Sequence, residues 1–145
     1  MQPSILKNLY LVVEGQFDAQ VIRTVLNCND YKNVYCSVTD GVHNMPSICR
    51  TLRLMLNPED RMLIVFDSDT LNPDDINDKL VNMRFLTKAD VSNIKMGVFC
   101  MVPDLEHCLG LPEKKQQAVS DYLKRNLNEI KKLKVINDMQ AFIDD

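Results

Sequence analysis

The stretches Leu-Tyr-Leu-Val-Val-Glu-Gly at residues 9–15 and Met-Leu-Ile-Val-Phe-Asp-Ser-Asp at residues 62–69 decide the fold of this chain. In each stretch an unbroken apolar run is followed at once by carboxylates. Such runs are typical of parallel strands that helices cover on both faces. We therefore expect Glu14, Asp67 and Asp69 to lie just beyond the carboxyl ends of two buried strands, in the crevice where open α/β sheets bind ligands.

Three carboxylates at one edge of a sheet are electrostatically unfavourable unless a positive charge lies between them. Neighbouring strands lie only about 5 Å apart, so the three side chains would repel one another unless a cation joined them. Carboxylate oxygens are the ligands that hard divalent cations prefer. The sequence therefore predicts a divalent-metal site at Glu14, Asp67 and Asp69. The alternative for the two aspartates is an ordinary turn after a strand.

Strand and helix patterns alternate through most of the chain. Strands are predicted at residues 9–13, 34–38, 62–66 and 94–102, and a helical apolar period follows each of the first three. Alternating order with short connections predicts an α/β, Rossmann-like fold with a mainly parallel four-stranded sheet and helices on both of its faces.

Helix boundaries follow from capping and breaking residues. Asn44 is the predicted N-cap of the second helix, which is expected to continue to Asn57-Pro58 with Met55 on its apolar face. After the last strand the pattern predicts a helical C-terminus. Its three helices are expected at residues 104–109, 112–127 and 129–143.

Length and composition suit one domain. The chain has 145 residues, 46% of them hydrophobic, which is enough for a self-sufficient core. We expect a single domain over residues 1–145, with a core at about 8–110 and a helical C-terminal extension at 111–145. The net charge of −3 excludes a strongly basic protein that coats nucleic acid, so contact with a polyanion should be local or assisted by a metal.

The cysteines and the N-terminal segment bear on the compartment. The five cysteines are an odd number and lack the spacing of a zinc site, so we expect reduced thiols. The first residues lack the basic and apolar regions of a signal peptide, and no apolar run approaches a membrane span. We therefore expect a cytoplasmic protein that does not contact the membrane.

Three short motifs follow the first three predicted strands. They are Glu-Gly-x-x-Asp (Glu14, Gly15, Asp18), Gly-x-x-Asn (Gly41, Asn44) and Asp-x-Asp (Asp67, Asp69). Together they resemble the topoisomerase/primase, or Toprim, domain over roughly residues 8–110. The arrangement is most similar to the Toprim part of the overcoming-lysogenization-defect (OLD) nucleases and their small stand-alone relatives. Those nucleases usually have glutamate where this chain has Asp18, which keeps the charge on a shorter side chain.

The resemblance implies the Toprim fold and a metal-dependent nuclease, a hydrolase of phosphodiester bonds that uses Mg²⁺ or Mn²⁺. It implies that Glu14 is a general acid/base or a metal ligand and that Asp67 and Asp69 are metal ligands. Nucleic acid is the partner it implies first, and an ATPase or another protein would be the second. Gly15, Gly41 and Asn44 would form the supporting turns.

Two further acids are candidates for a two-metal site. Asp18 stands four residues after Glu14, and Glu106 lies in a Pro-x-x-Glu element of the kind that often follows the last core strand in such relatives. Each has a simpler interpretation, because Asp18 suits a helix N-terminus and Glu106 suits an exposed surface. Asp104 is a candidate helix cap. His43 and His107 are expected to be exposed without a catalytic role.

Other functions remain open at this level. Asp67-Ser68-Asp69-Thr70 also fits the signature of haloacid-dehalogenase-type phosphatases, but that family has the motif on its opening strand, and Glu14-Gly15 would then be unexplained. A receiver-like phosphoacceptor would need an acid pair after the first strand.

The strongest alternative is a catalytically silent Toprim-like module that binds metal, nucleic acid or a protein partner. Basic side chains around the acidic crevice would favour cleavage, and dispersed ones would favour binding. The basic residues whose positions decide between these functions are Arg23, Arg50, Arg53, Lys88 and Lys95.

Overall fold

A computed structural model describes residues 7–111 and 116–145 of the chain. Strands and helices alternate up to the fourth strand, and three helices follow it. In chain order the elements are β1 (Asn8–Val13), α1 (Gln16–Val25), β2 (Asn33–Val38), α2 (Met45–Arg53), β3 (Arg61–Asp67), α3 (Pro73–Thr87), β4 (Lys95–Met101), α4 (Leu105–Leu109), α5 (Gln116–Lys131) and α6 (Lys134–Asp144), with a 3₁₀ turn at Ala89–Val91 between α3 and β4.

The four strands form one parallel sheet in the order β2-β1-β3-β4. This confirms the predicted α/β fold with a parallel sheet. The central strand β1 pairs with β2 on one side, Leu9 opposite Val34, and with β3 on the other, Leu9 opposite Arg61. The strand order therefore reverses between β1 and β3, which is where open α/β sheets form a crevice at the carboxyl ends of their strands.

Side chains alternate along the two central strands between two separate cores. Leu11 of β1 and Leu63 of β3 are fully buried in the core that α1, α4, α5 and α6 cover. Val12 and Ile64, one residue further along each strand, are buried in the second core, beneath α2 and α3. Helices thus cover both faces of the sheet. The apolar runs are unbroken because consecutive side chains of β1 and β3 are buried on opposite faces, as the sequence predicted.

Two predicted helix boundaries are wrong. Helix α2 ends at Arg53, because the next two backbone N–H groups turn back to carbonyls only three residues earlier, and Met55 is 72% exposed. Helix α5 continues past the break expected at residue 128, since a continuous helix keeps Ile130 buried on the same face as Leu123, two turns before it. The predicted start at Pro112 lies outside the described residues.

The expectations on membrane-spanning helices and on cysteine pairing can both be compared with the structure. None of the helices within residues 7–111 and 116–145 has the length and apolar character needed to cross a bilayer. All five cysteines are unpaired thiols.

Gly97 of β4 lies where a side chain would meet aromatic rings. A Cβ at this position would come within 2.8 Å of the Phe99 ring and 2.9 Å of the Phe142 ring, the latter on α6. Since both distances are shorter than van der Waals contact, Gly97→Ala should lower the free energy of unfolding by about 1 kcal/mol or more by displacing α6 from the sheet. Urea unfolding would measure this, with Gly15→Ala as the matched control, because Gly15 also has an extended backbone and a Cβ there would meet no atom closer than 3.5 Å.

Candidate functional site

The carboxyl ends of β1 and β3 meet through one side chain. Glu14 follows the last residue of β1, and its Oε2 accepts a hydrogen bond of 2.8 Å from the backbone N–H of Asp67 at the end of β3. The backbone carbonyl of Glu14 accepts from Asp40 N at 2.9 Å, which ties the segment after β2 to the same edge. Glu14 therefore lies at the point where the strand order reverses, in direct contact with the Asp-x-Asp motif.

Asp67 and Asp69 are held by the segment that follows β4. Asp67 Oδ1 accepts from the backbone N–H of Leu105 at 2.9 Å, and the backbone N–H of Asp69 donates to the carbonyl of Pro103 at 2.7 Å. Asp69 adopts a left-handed backbone conformation, with φ of 55°, which is uncommon for a residue other than glycine. Such strain persists only where surrounding contacts impose it.

Ser68, between the two aspartates, is fully buried and fixes the turn. Its backbone N–H donates to Met101 O at 3.0 Å, and its hydroxyl donates to Thr70 O at 2.7 Å. The buried serine directs the carboxylates on either side of it away from the core. Asp69 is exposed and Asp67 is half-buried.

The carboxylates perturb one another. Burial raises the pKa of Asp67 to about 7, and the negative charges of Glu14, Asp18 and Glu106 add to this rise. Burial also raises the pKa of Glu14, assisted by the charge of Asp69 and opposed by the hydrogen bond from Asp67 N. Five acids that come from three separate segments of the chain therefore share one electrostatic environment. In the metal-free protein their charges are poorly compensated.

Asp18 and Glu106 belong to this environment, and Asp18 has a structural role as well. Asp18 lies in the first turn of α1, where its Oδ2 accepts a hydrogen bond of 3.1 Å from Gly15 N. Asp18 therefore caps the N-terminus of α1, which is the simpler of its two predicted roles. Glu106 lies in the first turn of α4, and its charge acts on both Glu14 and Asp67. Asp104 is the N-cap of α4, with its Oδ1 2.8 Å from His107 N, as predicted.

The three predicted turn residues differ in what they contribute. Gly41 has φ of 111°, a conformation that strongly favours glycine. Gly15 has an extended backbone with φ of −145°, so the sharp turn expected there does not require glycine. Asn44 occupies the N-cap position of α2 but makes no capping hydrogen bond. Its side chain instead donates to Thr39 O at 3.4 Å, which holds the β2–α2 loop.

The five basic residues named as tests do not surround the acids. Arg23, Arg50 and Arg53 lie in the last turns of α1 and α2, and Lys88 caps the end of α3. Helices that connect parallel strands run back toward the amino edge of the sheet. These four side chains therefore belong to the opposite edge, as does Lys95, the first residue of β4, which pairs with Asp145 at 3.2 Å.

One basic group in the described part of the chain does lie beside the acids, and its role was not predicted. Lys79, two turns into α3, donates from Nζ to the carbonyl of Ser68 and shares a cavity with Asp67 and Asp69. His43 lines the same cavity, while His107 lies 2.8 Å from Asp104 and is mostly exposed. The signal for Lys79 was present, because α3 starts immediately after the Asp-x-Asp loop and its first turns must lie beside that loop.

The donor chemistry of the site fits a hard divalent cation, since every charged donor is a carboxylate oxygen. One oxygen of Glu14 and one of Asp67 are fixed by backbone N–H groups, so both side chains are oriented. Within residues 7–111 and 116–145, however, no three acidic, histidine or cysteine side chains converge closely enough to form a ready-made metal cage. Cation binding would therefore need side-chain rotations at this edge.

Comparison with known proteins identifies no relative, since no family model, curated protein or solved structure matches this chain.

Proposed function

We propose that this chain is a Toprim-like domain that binds Mg²⁺ or Mn²⁺ at its acidic edge and hydrolyses phosphodiester bonds of nucleic acid. The observation that supports this best is the hydrogen bond from Asp67 N to Glu14 Oε2, because it joins the two acidic motifs at the crevice where α/β sheets bind ligands. The raised pKa values of Glu14 and Asp67 indicate that the site is electrostatically incomplete by itself.

Asp67, Asp69 and Glu14 would hold the cation, with Asp18 and Glu106 completing the negative charge around it. A bound divalent ion supplies an activated water and compensates charge on the phosphodiester. Glu14 is the group suited to move a proton at Oε1, because Oε2 is fixed by Asp67 N and the raised pKa brings the carboxyl closer to neutral pH. The backbone contacts to Pro103 and Met101 orient the two aspartates.

The second candidate function is a silent module that binds a cation or nucleic acid without turnover. The observation that favours it is the position of the basic side chains, because Arg23, Arg50, Arg53, Lys88 and Lys95 belong to the opposite edge. A nuclease must hold a polyanion against its acids, and phosphate contacts supply most of that affinity.

Thermal melting with Mg²⁺ tests the cation site common to both functions. With a dissociation constant of about 1 mM, 10 mM Mg²⁺ should raise the melting temperature by about 4 °C, relative to sodium chloride of the same ionic strength. An unchanged melting temperature with both Mg²⁺ and Mn²⁺ would refute the cation site. Incubation with single- and double-stranded DNA and RNA then separates the functions, since only the nuclease yields shorter products.

A further inference from the structure

A cavity of about 270 Å³ opens beside the acidic edge, on the face of the sheet that α2 and α3 cover. Asp67 and Asp69 form one end of it, and the remaining wall comes from β3, the β2–α2 loop, the first turn of α2, and α3. The cavity is thus continuous with the proposed cation site. It is not needed to hold the cation, and it contains side chains of a different chemical kind.

The polar groups of the cavity are donors suited to an anion and to the edge of a base. Lys79 Nζ has three N–H donors, of which the carbonyl of Ser68 takes one. His43 and Asn82 also line the cavity. Neither side chain is hydrogen-bonded to another residue in the described part of the chain. A phosphate beside Lys79 would gain a charge-assisted hydrogen bond.

The rest of the wall is apolar. Phe66, Pro46 and Leu86 line it, and Leu86 is 45% exposed although it is a large aliphatic side chain. Apolar side chains next to a few convergent polar groups are typical of ligand pockets. Phe66 is only 2% exposed, so a nucleobase in the cavity would bury apolar area mainly against aliphatic side chains such as Leu86, and this contact is favourable without regard to base sequence.

Size and charge limit what fits. The volume of about 270 Å³ lies just below the usual range for ligand pockets, roughly 300–1,000 Å³, which leaves room for one nucleotide and none for a base pair. The carboxylates at one end repel phosphate except where a cation lies between them. A nucleotide would therefore place its phosphate between the cation and Lys79, and its base against the apolar wall.

We propose that this cavity binds one unpaired nucleotide, so that the site takes single strands or frayed strand ends and not continuous duplex. The inference rests on the proposed function and adds the substrate class to it. A base inside a duplex enters such a cavity only after unstacking and unpairing, which costs a few kcal/mol.

Fluorescence anisotropy with a short labelled single strand and its duplex, both with Mg²⁺, tests the proposal. The single strand should bind at least about tenfold more tightly than the duplex. Lys79→Met should weaken single-strand binding about tenfold, and Lys79→Arg should retain it. The matched control is Lys124→Met, which removes the same charge from an exposed position on α5 and should leave binding unchanged.

A second pair of variants does not disturb the contact between Lys79 and Ser68. Leu86→Gln should weaken single-strand binding about fivefold, whereas Phe85→Gln should not, because Phe85 is 78% exposed and lies outside the cavity. Equal or tighter duplex binding would overturn the proposal, as would wild-type affinity in both Lys79→Met and Leu86→Gln. A melting shift with magnesium but equal binding of single strand and duplex would refute only the proposal that the cavity binds an unpaired nucleotide. The absence of the melting shift would refute the proposed function and this inference with it.

Discussion

Replacing Asp67 by asparagine is expected to stabilise the metal-free protein by about 2 kcal/mol at pH 8. The pKa of Asp67 is raised from 3.8 to about 7 in the folded protein, chiefly by burial and then by the charge of Glu14. A shift of this size corresponds to about 4 kcal/mol for a fully buried group, and we halve it because the carboxyl is only half-buried. Asparagine removes the charge and keeps an oxygen that can accept from Leu105 N.

The sign of the pH dependence follows from proton linkage. Between pH 4 and pH 7 the folded protein holds a proton on Asp67 that the unfolded chain has already lost. The free energy of unfolding of the wild type should therefore fall as the pH rises through this window and level off above it. Glu14, whose pKa is raised as well, contributes in the same direction.

Urea unfolding at pH 5 and pH 8 in the presence of EDTA measures this difference. Asp67→Asn should show a smaller loss between the two pH values than the wild type, and the control Asp78→Asn, exposed on α3, should show the wild-type loss. A wild-type protein that is more stable at pH 8 than at pH 5 would contradict the electrostatic description of the site.

The position of the acids was predictable because it depends on the parallel strands alone. Unbroken apolar runs fix β1 and β3, and a carboxylate that follows such a run must lie at the carboxyl edge. The sequence could not show that β1 and β3 are neighbours, and without that adjacency Glu14 would not reach Asp67. Strand order depends on long-range packing of helices on both faces, which no local pattern encodes.

Side chains on the helices were harder to place, because their distance from the acids depends on the direction in which each helix runs. Arg23 and Arg50 lie in the last turns of their helices, so they point to the amino edge once the helices run antiparallel to the strands. Lys79 lies near the start of α3 and reaches the acids. Asp18 was ambiguous because one carboxylate both accepts from Gly15 N and adds charge to the site. Only coordinates separate these cases.

Glu14→Gln is expected to have the largest effect on function. If Glu14 transfers a proton, its loss should lower the rate of phosphodiester cleavage by about a thousandfold, since positioned acid/base groups contribute roughly 10²–10⁴-fold. The melting shift with Mg²⁺ should also shrink or vanish. The metal-free fold should survive for two reasons. The glutamine carbonyl can still accept a hydrogen bond from Asp67 N. The variant also removes a negative charge that the folded protein disfavours, as the raised pKa of the Glu14 carboxyl shows.

Glu59→Gln is the matched control, since Glu59 is exposed and precedes β3 at the opposite edge of the sheet. It should keep both the wild-type rate and the wild-type melting shift. A Glu14→Gln protein that keeps both would show that the carboxylate neither binds the cation nor moves a proton. Loss of the shift in Glu14→Gln, together with a wild type that cleaves no polynucleotide, would select the silent module. The wild type and Glu14→Gln therefore decide between the two proposed functions, because the melting shift reports cation binding and the cleavage assay reports turnover independently of it.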